Sequence, residues 1–231
     1  MIDTGALVTL TVVGAVVGLD FVSFPQAMLS RPLVAATLGG FVCGDATAGL
    51  LVGVLLECFA LETMPFGASR YPEWGPASVA AGAVAVVPGG SALTMQVLPL
   101  AVLAGLVAAA IGGQTLVWLR RLNLAISGRY RDELAAGDAT AVLAVHWTGL
   151  LIDFGRAGAV TALFVVTLLP LRDVVLGGLL AVDGARAVLL TAALAAGVGV
   201  GAVWKVVHNT KEYARYLAAG LLAGLLVAVL L

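Results

Sequence analysis

The chain has 231 residues, of which 61% are hydrophobic and 11% charged, with a mean hydropathy of +1.10. A soluble domain carries about 25% charged residues. The formal net charge of −1 comes with no basic cluster interleaved with aromatics, which argues against nucleic acid as a partner. Charge is absent from residues 4–19, 74–119 and 187–204. Apolar runs of about 18 residues or more are candidate membrane spans, so the composition predicts an all-α, polytopic membrane protein.

The N-terminus lacks the positive region of a cleaved signal peptide, so the first apolar segment is expected to stay in the mature protein. Residues 7–19 with their flanks form that first helix, closed by Asp20. Residues 20–30 are too short to span and contain Pro25 and Gln26; they read as a re-entrant or interfacial piece. Pro32 suits a first helical turn, where its missing N–H costs nothing. The helix it opens, 32–43, rises only about 18 Å against a hydrocarbon core of about 30 Å, so it is expected to stop part-way. A second short helix, 47–61, follows a break at Gly44-Asp45, with Asp45 capping its free N–H groups.

Residues 61–76 are interrupted by Pro65, Gly67, Pro72, Gly75 and Pro76 and cannot be one helix. A short apolar segment at 77–87 ends at Pro88-Gly89-Gly90, and 93–119 is long enough to cross with tilt. The polar run 120–138 holds four arginines, which places it on the cytoplasmic side by the positive-inside rule. Residues 139–154 read either as a helix along the interface or as a buried span. The segments 157–171 and 187–204 cross or nearly cross, the link at 205–215 is net positive, and 216–231 returns outward. Three regions follow: a transmembrane part, 1–119, with a broken-helix substrate core at about 20–88; a cytoplasmic loop, 120–138; and C-terminal transmembrane helices, 139–231.

The polar residues that remain are few. No Walker loop, HExxH, CxxC or GxSxG is present, which argues against a self-contained ATPase or hydrolase. Cys43 and Cys58 lie in apolar segments as small hydrophobes. Glycine pairs at close-packing spacing, Gly49/Gly53 and Gly197/Gly201, predict tight helix crossings. Asp45, Glu57 and Glu62 are acids in or beside apolar sequence, where an ionisable side chain costs about 2.5–3.5 kcal/mol on insertion scales. Glu57 reads either as a structural carboxylate with a backbone or arginine partner, or as a ligand for a sugar hydroxyl or a transported proton. The loop 66–74 carries the carboxylate, hydroxyl and aromatic groups a sugar site needs; the same residues would serve an interfacial anchor.

One ordered set of residues is more specific: Arg31-Pro32-Leu33-Val34-Ala35, Gly44-Asp45, Gly49, Gly53, Leu56-Glu57, Ala60-Leu61 and Gly67-Ala68. In this spacing it resembles the IIC membrane subunit of the mannose/sorbose-type bacterial phosphotransferase system. The resemblance covers roughly residues 20–85; beyond them only the hydrophobic pattern matches. It implies a channel-like sugar carrier in the bacterial cytoplasmic membrane, working with a second membrane subunit, IID, and expected to be oligomeric. Soluble IIA and IIB phosphocarriers would phosphorylate the sugar as it arrives. In that family the phosphorylated histidines lie on IIA and IIB, so His146 and His208 inherit no such role. The chain would be a permease subunit with no cofactor, no metal and no catalysis of its own.

The sugar-contacting positions the resemblance carries over are Glu57, Ser69 and Glu73, with backbone around Gly67 and Ala68; Gln26, Phe66 and Trp74 are further candidates. Glu73 stands where the family often has aspartate. Phe66 replaces the asparagine of mannose members, which removes a hydrogen-bonding group and leaves room for another sugar or a degenerate transporter. The expected mechanism is alternating access around a midplane site, with phosphorylation trapping the sugar. An ion-coupled transporter with Glu57 as proton carrier, or a non-transporting sensor or scaffold subunit, are the alternative readings.

Overall fold

The computed structural model describes residues 3–61, 70–87, 91–175 and 184–207, with short pieces at 215–216, 218–220 and 222–223. Every regular element among them is a helix: α1 Thr4–Val22, α2 Pro32–Val42, α3 Ala46–Ala60, α4 Trp74–Ala85, α5 Ser91–Arg129, α6 Arg131–Ala135, α7 Ala139–Val174 and α8 Gly184–Val207. Within α1, α5, α7 and α8 lie stretches long and apolar enough to cross a membrane. Helices α2, α3 and α4, with 11, 15 and 12 residues, are shorter than a span requires.

The short helices pack through backbone. A Cβ on Gly39 of α2 would meet the Val79 carbonyl of α4 at 2.1 Å, and one on Gly82 of α4 would meet the Ala36 carbonyl of α2 at 2.0 Å. Helix α3 approaches α2 as closely: a Cβ on Gly49 would come within 2.3 Å of the same Ala36 carbonyl, and one on Gly53 within 2.8 Å of the Pro32 carbonyl. The expected role of Gly49 and Gly53 is therefore met. Gly197 and Gly201 have nothing within 4 Å among the described residues; Gly199 makes the approach instead, against Cys58 of α3. The turn between α2 and α3 uses Gly44 at φ +94°, a conformation that L side chains rarely adopt. Asp45 caps α3 as predicted, accepting from Ala48 N at 2.9 Å.

All twelve residues of α4 are buried. The helix starts at Trp74, three residues before the predicted segment, because Pro76 falls in the first turn, where a missing N–H breaks no bond. At its other end, Arg172 of α7 donates from Nη1 to the Val86 carbonyl at 2.5 Å and the Val84 carbonyl at 3.4 Å. A cation thus answers the negative end of the helix.

The longer helices frame this core. Helix α1 lies on α7, with Gly14 facing Thr161 and Gly18 facing Ala157. Val8, Val12 and Val16 form an exposed stripe on its far side. A helix apolar on both its buried and its exposed face is one built for lipid.

Two expectations differ from the structure. Helix α5 does not stop at Leu119 but runs 39 residues, about 58 Å, through Arg120 and Arg121 to Arg129. The stretch read as a loop is helical for its first ten residues and turns only at α6 and Gly137, with φ +75°. The segments 139–154 and 157–171 likewise fuse into α7, a single helix of 36 residues and about 54 Å. Arg156, in the gap between those two segments, points into the protein instead of ending a helix. The far end of the chain, 224–231, and the loop 62–69 lie outside the described residues.

Candidate functional site

Two Arg–Glu pairs and a chain of cavities dominate the polar interior. The first pair joins α3 to the start of α2. Arg31, the N-cap residue of α2, donates from Nε to Glu57 Oε1 at 2.7 Å and also from Nη2 to the same oxygen. The Leu33 amide, at the open N-terminus of α2, donates to Glu57 Oε2 at 3.1 Å. The carboxylate is thus bonded to an arginine and to backbone, and its side chain keeps 22% exposure.

Beside this pair, residues 23–31 leave helical geometry. The Phe24–Pro25 peptide is cis, and Gln26 and Met28 have φ +59° and +63°. Asp20, buried at the end of α1, gathers the turn: it accepts from Ala27 N at 2.6 Å, Ser30 N at 2.9 Å and Ser30 Oγ at 3.0 Å. Two amides of the irregular stretch thus find a carboxylate partner, the kind of pairing non-helical backbone needs in a bilayer. Asp20, Gln26, Ser30, Arg31 and Trp74 line a cavity of about 340 Å³ in front of it. It combines acceptors, amide and guanidinium donors and an indole face.

The second pair is sealed. Arg156 of α7 donates from Nη2 to Glu73 Oε1 at 2.6 Å and from Nη1 to Glu73 Oε2 at 2.7 Å, a bidentate fork. The same guanidinium reaches Asp153 Oδ1 from Nη2 at 2.7 Å and from Nε at 3.1 Å, and Thr115 Oγ1 of α5 at 2.7 Å. Ser23, just past α1, donates to Asp153 Oδ2 at 2.6 Å. The Glu73 amide donates to the Ala109 carbonyl of α5 at 2.9 Å. One guanidinium shared by two carboxylates therefore ties α1, α4, α5 and α7 together.

Of the residues singled out from sequence, Gln26 and Trp74 share the 340 Å³ cavity, and Glu57 sits behind Arg31, which lines it. Glu73 is fully buried, with both oxygens held by Arg156. Phe66, Gly67, Ala68 and Ser69 lie outside the described residues. Sequence reading passed over Arg31 as a functional side chain, and over Asp20, Ser23 and Arg156. The signal for Arg156 was present: an arginine three residues after Asp153 in an apolar helix, the spacing of an intrahelical ion pair.

Comparison with known proteins places these features. The family model described as PTS system sorbose-specific IIC component matches residues 5–229. The chain is 25% identical over 198 residues to the PTS system sorbose-specific EIIC component of Lacticaseibacillus casei, covering 79% of this chain and 67% of that protein. It is 37% identical over 73 residues to the fructose permease IIC component of Bacillus subtilis, covering 32% of this chain and 27% of that one. With the mannose-specific EIIC component of Escherichia coli the identity is 35% over 78 residues, 34% of this chain and 29% of the other. Among solved structures, one described only as a membrane protein shares the fold with a TM-score of 0.77 at 21% identity, covering 99% of this chain and 92% of that chain. The mannose transporter ManYZ, solved with microcin E492, aligns with a TM-score of 0.59 at 22% identity over 99% of this chain and 87% of its own. The all-helical membrane protein described here thus belongs to the family of sorbose-specific IIC components of the sugar phosphotransferase system.

Proposed function

We propose that this chain is the sugar-translocating IIC subunit of a mannose-family phosphotransferase complex in the bacterial cytoplasmic membrane. A hexose-type sugar would sit in the cavity lined by Gln26, Ser30, Arg31 and Trp74, with the Glu57 carboxylate behind Arg31; Gly67, Ala68 and Ser69 stay candidate contacts of the same sugar. The observation that carries this reading is the cavity itself: about 340 Å³, within the usual range for small-molecule sites of about 300–1,000 Å³, and set among helices too short to cross. Its lining has the mixture a pyranose asks for, hydrogen-bonding groups for the hydroxyls and an indole for the C–H face.

Glu57 supplies a hydroxyl acceptor oriented by Arg31 and by the Leu33 amide. Glu73, held by Arg156, contributes in this conformation by fixing the turn that leads into α4; it would meet sugar only if that fork opened. A IID-type membrane partner and soluble IIA and IIB domains complete the complex, and assembly into an oligomer is part of the same proposal. Short helices α2–α4 would move against α1, α5 and α7, with the Glu73–Arg156 fork opening as they do, to expose the cavity alternately.

Uptake in cells carrying the neighbouring transport genes tests the reading. Accumulation of labelled fructose, sorbose or mannose should require phosphoenolpyruvate and resist an uncoupler. Uptake that collapses with the uncoupler and ignores phosphoenolpyruvate would contradict it.

A further inference from the structure

The cavity at Trp74 is not isolated. A second one, of about 380 Å³, lies between the end of α1 and the C-terminal third of α5, walled by Ser23, Gln26, Tyr71, Arg120 and Asn123. Gln26 and Phe21 belong to both walls. A third, of about 300 Å³, shares Ser23 and Asn123 with the second and reaches Gly149 and His146 of α7. The three follow one another along the non-helical turn after α1, toward the polar end of α5.

Chemistry separates the second cavity from an ordinary packing gap. The Asn123 Oδ1 is buried and has no hydrogen-bond partner. Asn123 lines both the second and the third cavity, so its amide is placed to bond a hydroxyl there once it turns from its buried position. The Ser23 hydroxyl spends its proton on Asp153 Oδ2, so toward the cavity it offers lone pairs. Tyr71 is fixed edge-to-face on Phe21, with ring centroids 5.3 Å apart, and carries the Arg120 guanidinium over its face at 4.9 Å. The wall is therefore rigid, polar and rich in hydroxyl-bonding groups. By contrast, the cavity of about 440 Å³ beside Trp118, Leu122 and Leu163 is apolar except for Arg156 and Thr115, and suits an acyl chain.

We propose that the cavity at Ser23, Tyr71, Arg120 and Asn123 is a second sugar position, next to the one at Trp74 and on the way from it to the arginine-bearing end of α5. This rests on the sugar-carrier reading above. A sugar leaving Trp74 would pass Gln26, which lines both sites, and exchange one set of hydroxyl partners for another.

Equilibrium binding of radiolabelled D-fructose, L-sorbose and D-mannose to the purified full chain in lipid nanodiscs provides the test. Two equivalents per chain are expected for at least one of these sugars. Asn123→Leu, which removes the amide, and Gly149→Leu, which pushes a side chain toward Asn123 from α7, should each lose one equivalent and keep the other at unchanged affinity. A Cβ on Gly149 would stand 3.6 Å from Asn123 Oδ1, so the second variant crowds Asn123 from the third cavity without touching the proposed Trp74 site. Glu57→Gln should do the reverse, weakening the equivalent that the other two variants retain. A single equivalent in the wild type that Glu57→Gln abolishes, or two equivalents that survive both cavity variants, overturns the second position and leaves the first. No binding of any of the three sugars overturns both.

Discussion

Two glutamates in this protein each face an arginine, and their surroundings differ in kind. Glu73 is 0% exposed and Arg156 11%, in a network whose every charged atom is engaged within the protein. Glu57 and Arg31 keep 22% and 36% exposure beside a cavity. A sealed pair of charges contributes little net stability over an apolar substitute, but removing one partner leaves the other buried and uncompensated. An open pair can lend its oxygen to a ligand. The same residue types therefore divide into a joint that holds helices together and a site that can exchange partners.

The sharpest way to break this comparison is Arg156→Met. It should destabilise the protein by about 3–5 kcal/mol, since Glu73 and Asp153 lose their shared cation. Thermal unfolding followed by size-exclusion of the solubilised protein reads the effect. Adding Glu73→Gln and Asp153→Asn should restore part of the loss; if the single variant melts like wild type, the network is no joint. Removing only the edge of the network, with Ser23→Ala, should cost about 1.5–3 kcal/mol in the same assay, because a charge-assisted bond to Asp153 is lost.

Backbone packing predicts a similar cost at Gly39→Ala, where the new Cβ would meet the Val79 carbonyl at 2.1 Å; overpacking of this kind costs about 1–3 kcal/mol. Gly155→Ala, on α7 with nothing within 4 Å, should be neutral or stabilising by up to about 1 kcal/mol through helix propensity. A loss at Gly155 as large as that at Gly39 would mean that the helices pack otherwise than described. The Glu57→Gln change should be the mildest loss in melting, within about 1 kcal/mol for a partly exposed pair. Its effect belongs in sugar uptake instead.

Much of the short-helix region is legible in the sequence. Gly44 and Asp45 mark the reversal and the cap; Pro32 marks the start of α2; Gly49 and Gly53 mark the crossing face. These signals are local, since backbone conformation and first-turn hydrogen bonds are decided by neighbours in the chain. The longer helices are less legible. Arg120, Arg121 and Arg156 suggest solvent and hence boundaries, but charge does not end a helix. The reversal comes at Gly137, with its positive φ, and at the Asp138 cap of α7, whereas Pro99 and Pro170 lie inside α5 and α7. The direction in which Arg156 points is a tertiary fact, fixed by Glu73, 83 residues earlier. Glu57 could be weighed from sequence as structural or functional; the structure adds Arg31 and Leu33 N as its partners and the cavity beside them.

The claim that the open pair serves the sugar is tested most directly by titrating labelled fructose, sorbose and mannose against wild type and Glu57→Gln, with Arg156-bearing architecture intact in both. The account predicts a clear loss of affinity for whichever sugar binds, with the stability loss held within about 1 kcal/mol. Equal affinity in the two proteins would contradict it.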